Sequence, residues 1–401
     1  MAILRPFRAL RPEPKNAAQV SAVPYDVVNR EEAASLAKNN ALSFLRVSRP
    51  EIDLPIEIHF SDARVYEKAA LQFQLLKKDA PLLQESAPCI YLYGLKQEAH
   101  EQIGIAATYS VAEYDNGTIL RHEKTRPDKE DDRTRHVLSL QAQTGPVFLA
   151  FRETRTIDEL IRQARKEMPL FNFIAEDGVT HTVWKIEETL PWINAFAELP
   201  RLYIADGHHR SASASRAHRE LGTTGNTEAH GHFLAVAFPA NQLRILPYNR
   251  LIKNWGTLTE VQFLEKVKEH FELLPTEEPS PPQGQFGMYL SGRWYRLKPI
   301  ADIPKTGVES LDVSVLQNRL LSPILQIQDP RSDSRIDFVG GIRGTGELEA
   351  RVNRGEAVVA FACHPTTLNE LMEISDAGEM MPPKSTWFEP KLRDGLLSNT
   401  F

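Results

Sequence analysis

The sequence predicts an α+β protein: a multi-layer core on a mixed sheet, followed by a smaller α/β subdomain. Three observations carry that expectation. Strand-like and helix-like segments alternate without the regular βαβ rhythm of a parallel fold. Phe233-Leu234-Ala235-Val236-Ala237-Phe238 is a continuous apolar run, the pattern of a strand buried on both faces. The 401 residues are 42% hydrophobic and 25% charged, ordinary for a globular chain and enough for two or more domains.

Taken in order, Val23 to Val28 is a Pro-anchored turn, and a helix from about Glu31 to Asn39 follows with Asn29 as its N-cap. Ser43 to Val47 reads as a short strand. His59 to Lys78 reads as a helix, because Ala63, Tyr66, Ala70, Phe73 and Leu76 recur at helical spacing. Cys89 to Tyr93 and Gly104 to Tyr114 are strand-like, and Asp115-Asn116-Gly117 predicts a hairpin turn into Thr118 to Glu123. Lys129 to Ala142 is helical, Val147 to Phe151 extended and Ile157 to Glu167 helical. A second hairpin turns at Glu176-Asp177-Gly178.

Beyond the apolar run, Thr257 to Phe271 is a helix and Pro275 to Pro282 reads as a linker. A hairpin near Met288 to Leu297 and a helix from Asp312 to Leu321 come next. The strand Ile336 to Val339, the helix Glu347 to Asn353 and the strand Ala357 to Cys363 suggest a βαβ unit, with a last helix over Thr366 to Ile374. The implied division is a core over 1–273, a Pro-rich linker over 274–285 and a subdomain over 286–401 that closes on the core.

Charge and composition narrow the function. A net charge of −6 gives no general attraction for nucleic acid or an anionic membrane, so any anion site is local. Two cysteines, Cys89 and Cys363, make neither a disulfide framework nor a Cys-rich metal centre. No stretch has the length of a membrane span and the N-terminus lacks an apolar leader core, so a cytoplasmic protein is expected.

The chemistry concentrates in Leu202-Tyr203-Ile204-Ala205-Asp206-Gly207-His208-His209-Arg210. A buried strand ends in an Asp-Gly turn and opens a helix, which Gly222 would cap at its far end. Such a turn aims backbone N–H groups at one spot, and Gly207, His208, His209 and Arg210 suit that spot to phosphate. The alternative is structural, with Asp206 as a turn former and Arg210 paired to a nearby carboxylate.

Two further boxes carry candidates. In Arg121-His122-Glu123-Lys124-Thr125, Glu123 is a general base or Mg²⁺ ligand, unless the segment is a solvated rim. In Met381-Pro382-Pro383-Lys384-Ser385-Thr386, two prolines stiffen a loop that presents Lys384, Ser385 and Thr386 to phosphate, unless the loop is only a clasp. His230-Gly231-His232 resembles half a metal site without a third ligand. Cys363-His364 reads as a buried thiol beside a loop imidazole.

Several boxes together resemble one family, domain-of-unknown-function family ten-fifteen. They are Pro24-Tyr25-Asp26, His122 to Thr125, Asp206 to Arg210, Leu246 to Arg250, Leu311-Asp312-Val313, Met381 to Thr386 and Pro390-Lys391. The central box also resembles the Gly-His-Arg-Arg box of ParB and sulfiredoxin-like proteins, a group that includes the free serine kinases. That resemblance implies a ParB/sulfiredoxin-like core holding nucleotide phosphates at the strand-to-helix turn. Ser211-Ala212-Ser213 stands where an aromatic residue and polar partners are usual.

The combined expectation is a small-molecule phosphotransferase using Mg²⁺ with ATP or ADP. Asp206, Glu123, His208 or His209 would orient or deprotonate a hydroxyl acceptor such as serine. The rival is a non-catalytic nucleotide- or phosphate-binding regulator. A DNA-associated role is disfavoured by the acidic balance.

Overall fold

The apolar run becomes the interior of a nine-stranded mixed sheet. The computed structural model describes residues 2–79, 82–222 and 227–401. It divides into two compact units: residues 1–121, 125–243 and 390–401 form the first, and 122–124 with 244–389 form the second.

The strands of this sheet, all in the first unit, are β1 (Leu4–Arg5), β2 (Ile90–Gln97), β3 (His100–Ser110), β4 (Ile119–Leu120), β5 (Val147–Phe151), β6 (Phe171–Ile174), β7 (Thr180–Ile186), β8 (Leu202–Asp206) and β9 (His232–Pro239). Their order is β4-β8-β5-β9-β3-β2-β7-β6, with β1 beside β3. β9 runs parallel to β5 and antiparallel to β3, so both its edges are paired. Both faces of β9 are covered as well, so Phe233 to Phe238 is apolar at every position and buried throughout.

One face of this sheet packs Ile105, Tyr109, Leu149, Phe151, Phe196 and Ile204 into a single cluster. A second cluster joins Phe44, Phe73 and Leu76 to Leu140, bringing together α1 (Ala63–Asp79) and α2 (Pro127–Leu140). The helix of the central box is α3 (His208–Leu221), and it ends at Gly222 as its sequence indicates.

In the second unit the strands are β10 (Tyr248–Ile252), β11 (Phe271–Pro275), β12 (Phe286–Leu290), β13 (Arg293–Pro299), β14 (Ile336–Gly340) and β15 (Val359–Ala362). They form a six-stranded sheet in the order β11-β13-β12-β15-β10-β14. β14 and β15 both run antiparallel to β10 and flank it. The helix Gly344–Asn353 joins them, so the expected βαβ unit is split by β10.

Two local expectations are corrected. Asp115-Asn116-Gly117 does not turn a hairpin: Val111–Asn116 is a short helix, capped by the Ser110 side chain on the Glu113 N–H. Gly117 ends it in the left-handed conformation, so Asn-Gly serves as a helix stop. β4 then pairs parallel to β8 rather than antiparallel to β3. Ser43 to Val47 is not a strand, because Leu45–Ser48 forms a helical turn whose Phe44, Leu45 and Val47 are buried in the α1 cluster.

The expected boundary at 274–285 falls inside the second unit. Thr276 N donates to Trp294 O at 3.1 Å, and β11 pairs with β13. The prolines therefore punctuate a hairpin layer. The last twelve residues return to the first unit, where Asp394 and Ala22 exchange backbone hydrogen bonds, as do Ser398 and Leu10.

Candidate functional site

β8 is apolar until Ala205, and a bulge then shifts its register against β5: Ile204 faces Leu149, but Asp206 faces Phe148. One extra residue on β8 re-aims the side chains beyond it, a use of bulges common beside active sites. Gly207 has φ +96°, in the left-handed region, and a Cβ there would meet Arg210 Nε at 3.2 Å and Val147 Cα at 3.4 Å. Only glycine serves both the backbone conformation and the close approach.

The box is charged and largely satisfied by its own partners. Asp206 Oδ1 accepts the Gly207 N–H at 2.8 Å, and Asp206 Oδ2 accepts from Lys391 Nζ at 2.8 Å. Burial alone would raise the Asp206 pKa, but Lys391 and Arg210 overcome it and hold the carboxyl well below its ordinary range. Arg210 folds back over Gly207, donates Nη1 to the Pro146 carbonyl at 2.5 Å, and lies 4.0 Å from Asp26 and 3.9 Å from Asp206. Its guanidinium is desolvated, yet Asp26, Asp206 and Asp394 together keep it charged.

The two imidazoles of the box differ in setting. His208 is buried. His209 Nε2 accepts the Arg126 backbone N–H at 3.0 Å, which assigns the proton of a neutral ring to Nδ1.

Arg210 also lines a cleft of about 40 Å³, together with Tyr25, Arg133, His136, Thr144 and Asp394 among others. The Arg133 guanidinium stacks over the Tyr25 ring at 4.1 Å. His136 lies 2.8 Å from the Val47 carbonyl through Nε2; a carbonyl only accepts, so Nε2 carries the proton. Burial first, and Arg133 second, push the His136 pKa down to about 4, which keeps the ring neutral near pH 7.

The remaining candidates belong to the second unit. Met381 N donates to His122 O at 2.8 Å, and Thr386 Oγ1 lies 3.4 Å from His122 Nε2, so the His122-Glu123 segment and the Lys-Ser-Thr loop are held together. The Ser385 hydroxyl donates to Pro382 O at 2.6 Å, closing the loop on itself. Lys384 has φ +59° and lies 5.3 Å from the Tyr248 ring centroid, and its carbonyl accepts from Arg250 Nη2 at 3.1 Å. Tyr248 and Arg250 of β10 thus brace this loop, while Asn249 Oδ1 accepts the Cys363 N–H at 3.1 Å.

A left-handed lysine costs about 1 kcal/mol, and its contact with Tyr248 returns about half of that. Lys384→Gly is therefore expected to stabilise the second unit by about 0.5 kcal/mol in denaturant unfolding. A loss of stability would mean that the side chain is a clasp.

Asp206 to Arg210 lie on one strand–turn–helix, as their local pattern indicates. No local pattern links Asp26, Lys391 or Asp394 to the box, although the first two lie in boxes of the family resemblance. Asp394 lies in no such box, and only the return of residues 390–401 brings it there. His230 ends a helix and His232 begins β9, so the two do not share one extended segment, and His230 Nδ1 lies 2.7 Å from His218 Nδ1. Cys89 and Cys363 are buried free thiols. Among the described residues no helix is long and apolar enough to cross a membrane.

The family model described as a protein of unknown function (DUF1015) matches residues 4–314. No curated protein sequence matches the chain. Among solved structures, a conserved hypothetical protein from Pyrococcus furiosus is 15% identical, with 73% of this chain and 94% of that chain covered and a TM-score of 0.37. A free serine kinase variant in complex with AMP is 15% identical over 73% and 92%, with a TM-score of 0.38. SbnI from Staphylococcus aureus, truncated at its C-terminus, is 12% identical over 72% and 85%, at 0.37.

Proposed function

The chain belongs to the DUF1015 family, and we propose that it is a cytoplasmic phosphate-handling enzyme, most specifically a small-molecule phosphotransferase. The observation that carries this reading is the strand–bulge–turn–helix of Leu202 to Leu221. It opens a helix at a left-handed glycine, with Arg210 folded beside the turn. The same box supports taking the first unit as a ParB/sulfiredoxin-like core.

Phosphoryl transfer asks mainly for positioning and charge neutralisation. The N–H groups of the first turn of α3 would receive phosphate oxygens, with His208 and His209 beside them. Asp206 would orient Lys391 toward the same charge. Glu123 is proposed as a Mg²⁺ ligand and Lys384, Ser385 and Thr386 as phosphate contacts, each on its chemistry and not on any placement relative to the box. The donor would be ATP or ADP.

The test is turnover. Purified chain with Mg²⁺, ATP or ADP, and a panel of small hydroxyl compounds including free serine is expected to form a phosphorylated product. Glu123→Gln keeps the shape and removes the charge; it is expected to lower turnover by about 100-fold or more while nucleotide still binds. Nucleotide binding without any phosphoryl transfer would leave the regulator reading in its place. Normal turnover of Glu123→Gln would return that box to the solvated rim.

A further inference from the structure

The cleft beside Arg210 is lined by a buried donor and a buried carboxyl. Arg210 Nε is buried with no hydrogen-bond partner among the described residues. Asp394 is only 3% exposed and lines the same cleft as Arg210. Its backbone is pinned on both sides, by the exchange with Ala22 and by Gly395 N donating to Thr144 O at 3.2 Å. Its side chain lies close against the backbone at Gly145, where a Cβ would meet Asp394 Oδ1 at 2.7 Å.

An N–H donor without a partner and a buried carboxyl on one cleft suit a group that accepts and donates at one atom. A hydroxyl does both, as does the water it would displace, whereas an ionised phosphate oxygen offers only acceptance and an ammonium only donation. The cleft, at about 40 Å³, has room for about three waters, which suits a hydroxymethyl group and excludes a nucleoside. We propose that this cleft receives the hydroxyl of the acceptor substrate and that Asp394 takes its proton. The proposal rests on the phosphotransferase reading, and it assigns the base of that reaction to the C-terminal segment rather than to Glu123.

In the step, the acceptor O–H bond breaks and its proton passes to an Asp394 carboxyl oxygen. The acceptor oxygen forms a bond to the γ-phosphorus of ATP or the β-phosphorus of ADP. The bond from that phosphorus to the bridging oxygen breaks, and the electron pair leaves with ADP or AMP. Burial, the largest influence, pushes the Asp394 pKa up to about 7; Asp26 reinforces it, and Arg210, Arg133 and Arg393 oppose it. A base poised near the working pH is the most effective kind.

His136 is pushed down to about 4, Tyr25 and Tyr93 are pushed upward by burial, and Arg210 keeps its charge. Asp26, Arg133 and Arg393 complete the set around Asp394.

The experiment compares binding of free serine and ethylene glycol with that of alanine, which lacks only the hydroxyl, by calorimetry from pH 5.5 to 8.5. A hydroxyl donating to the ionised carboxylate binds more tightly as pH rises and levels off above about 7. Serine affinity in the wild type is expected to rise by about tenfold from pH 6 to 8. Asp394→Asn, isosteric with the protonated acid, should bind weakly at every pH. In the wild type, saturating serine should also lower the carboxyl titration midpoint of ¹³C-labelled Asp394 in NMR, a readout that does not depend on the variant folding.

Equal binding of alanine, an unchanged pH dependence in Asp394→Asn, or an unmoved NMR midpoint would each overturn the proposal. If no hydroxyl probe binds while ADP does, the proposal falls and the phosphate reading stands. If ADP fails as well, both fall.

Discussion

Arg210→Met is expected to destabilise the first unit by about 2–4 kcal/mol, because it strips a buried cation from a cluster of carboxylates. Methionine keeps most of the aliphatic volume, so the loss is electrostatic. It leaves the Pro146 carbonyl without its donor and removes the charge beside Asp26, Asp206 and Asp394. Asp206 retains Lys391 at 2.8 Å, and Asp26 is 38% exposed, which together keep the cost below that of a fully sealed ion pair. Arg210→Lys restores the charge without the planar fork and should recover part of the loss. Hydrogen exchange at the β8 and α3 amides would localise the effect; protection equal to wild type would mean that Arg210 is held for a ligand and not for the fold.

The second large effect is a pH-dependent gain. Asp394 has its pKa raised from the ordinary 3.8 to about 7, so the folded state binds more protons than the unfolded state between those values. Its contribution to stability is complete below about pH 4 and is lost as pH rises through 7. Asparagine mimics the protonated form. Asp394→Asn should therefore match the wild type near pH 4, draw ahead as pH rises, and reach a constant advantage above about pH 7, with a ceiling of about 4 kcal/mol.

The difference between the two proteins is the quantity to measure, because other groups tilt the wild-type curve. His136, lowered to about 4, adds stability as pH rises toward 6.5, and Asp312, raised by burial to about 6, subtracts it. A variant advantage that does not change between pH 4 and 8 would show that Asp394 is ionised throughout.

Legibility in the sequence tracked the range of the interactions concerned. The box of Asp206 to Arg210 was legible because a strand, a turn and a helix N-terminus are local patterns, and all three lie within a few residues. The structural alternative for Arg210 was legible too, though not its partners: Asp26 and Asp394 are far away in the chain, and nothing in periodicity links them. Asn116-Gly117 misled because one dipeptide serves two purposes, a hairpin turn or a left-handed helix stop. Ser110 and Glu113 decided it, by capping the helix before the strand could continue. The prolines of 275–282 misled in a similar way, since proline marks the edge of a hairpin layer as readily as a linker.

The C-terminal segment has one more consequence, which concerns time. A ribosome makes Asp26, Asp206 and Arg210 early, and then the whole of residues 244–389, before Lys391 and Asp394 emerge. At roughly 5–20 residues per second, that interval is on the order of ten seconds or more. Through it the Asp206 carboxylate waits for its ammonium partner, and Ala22 and Leu10 wait for the backbone that pairs with them. The nascent first unit thus stays open along one seam while the second is being made, and it closes last, around the carboxyl proposed to take the proton.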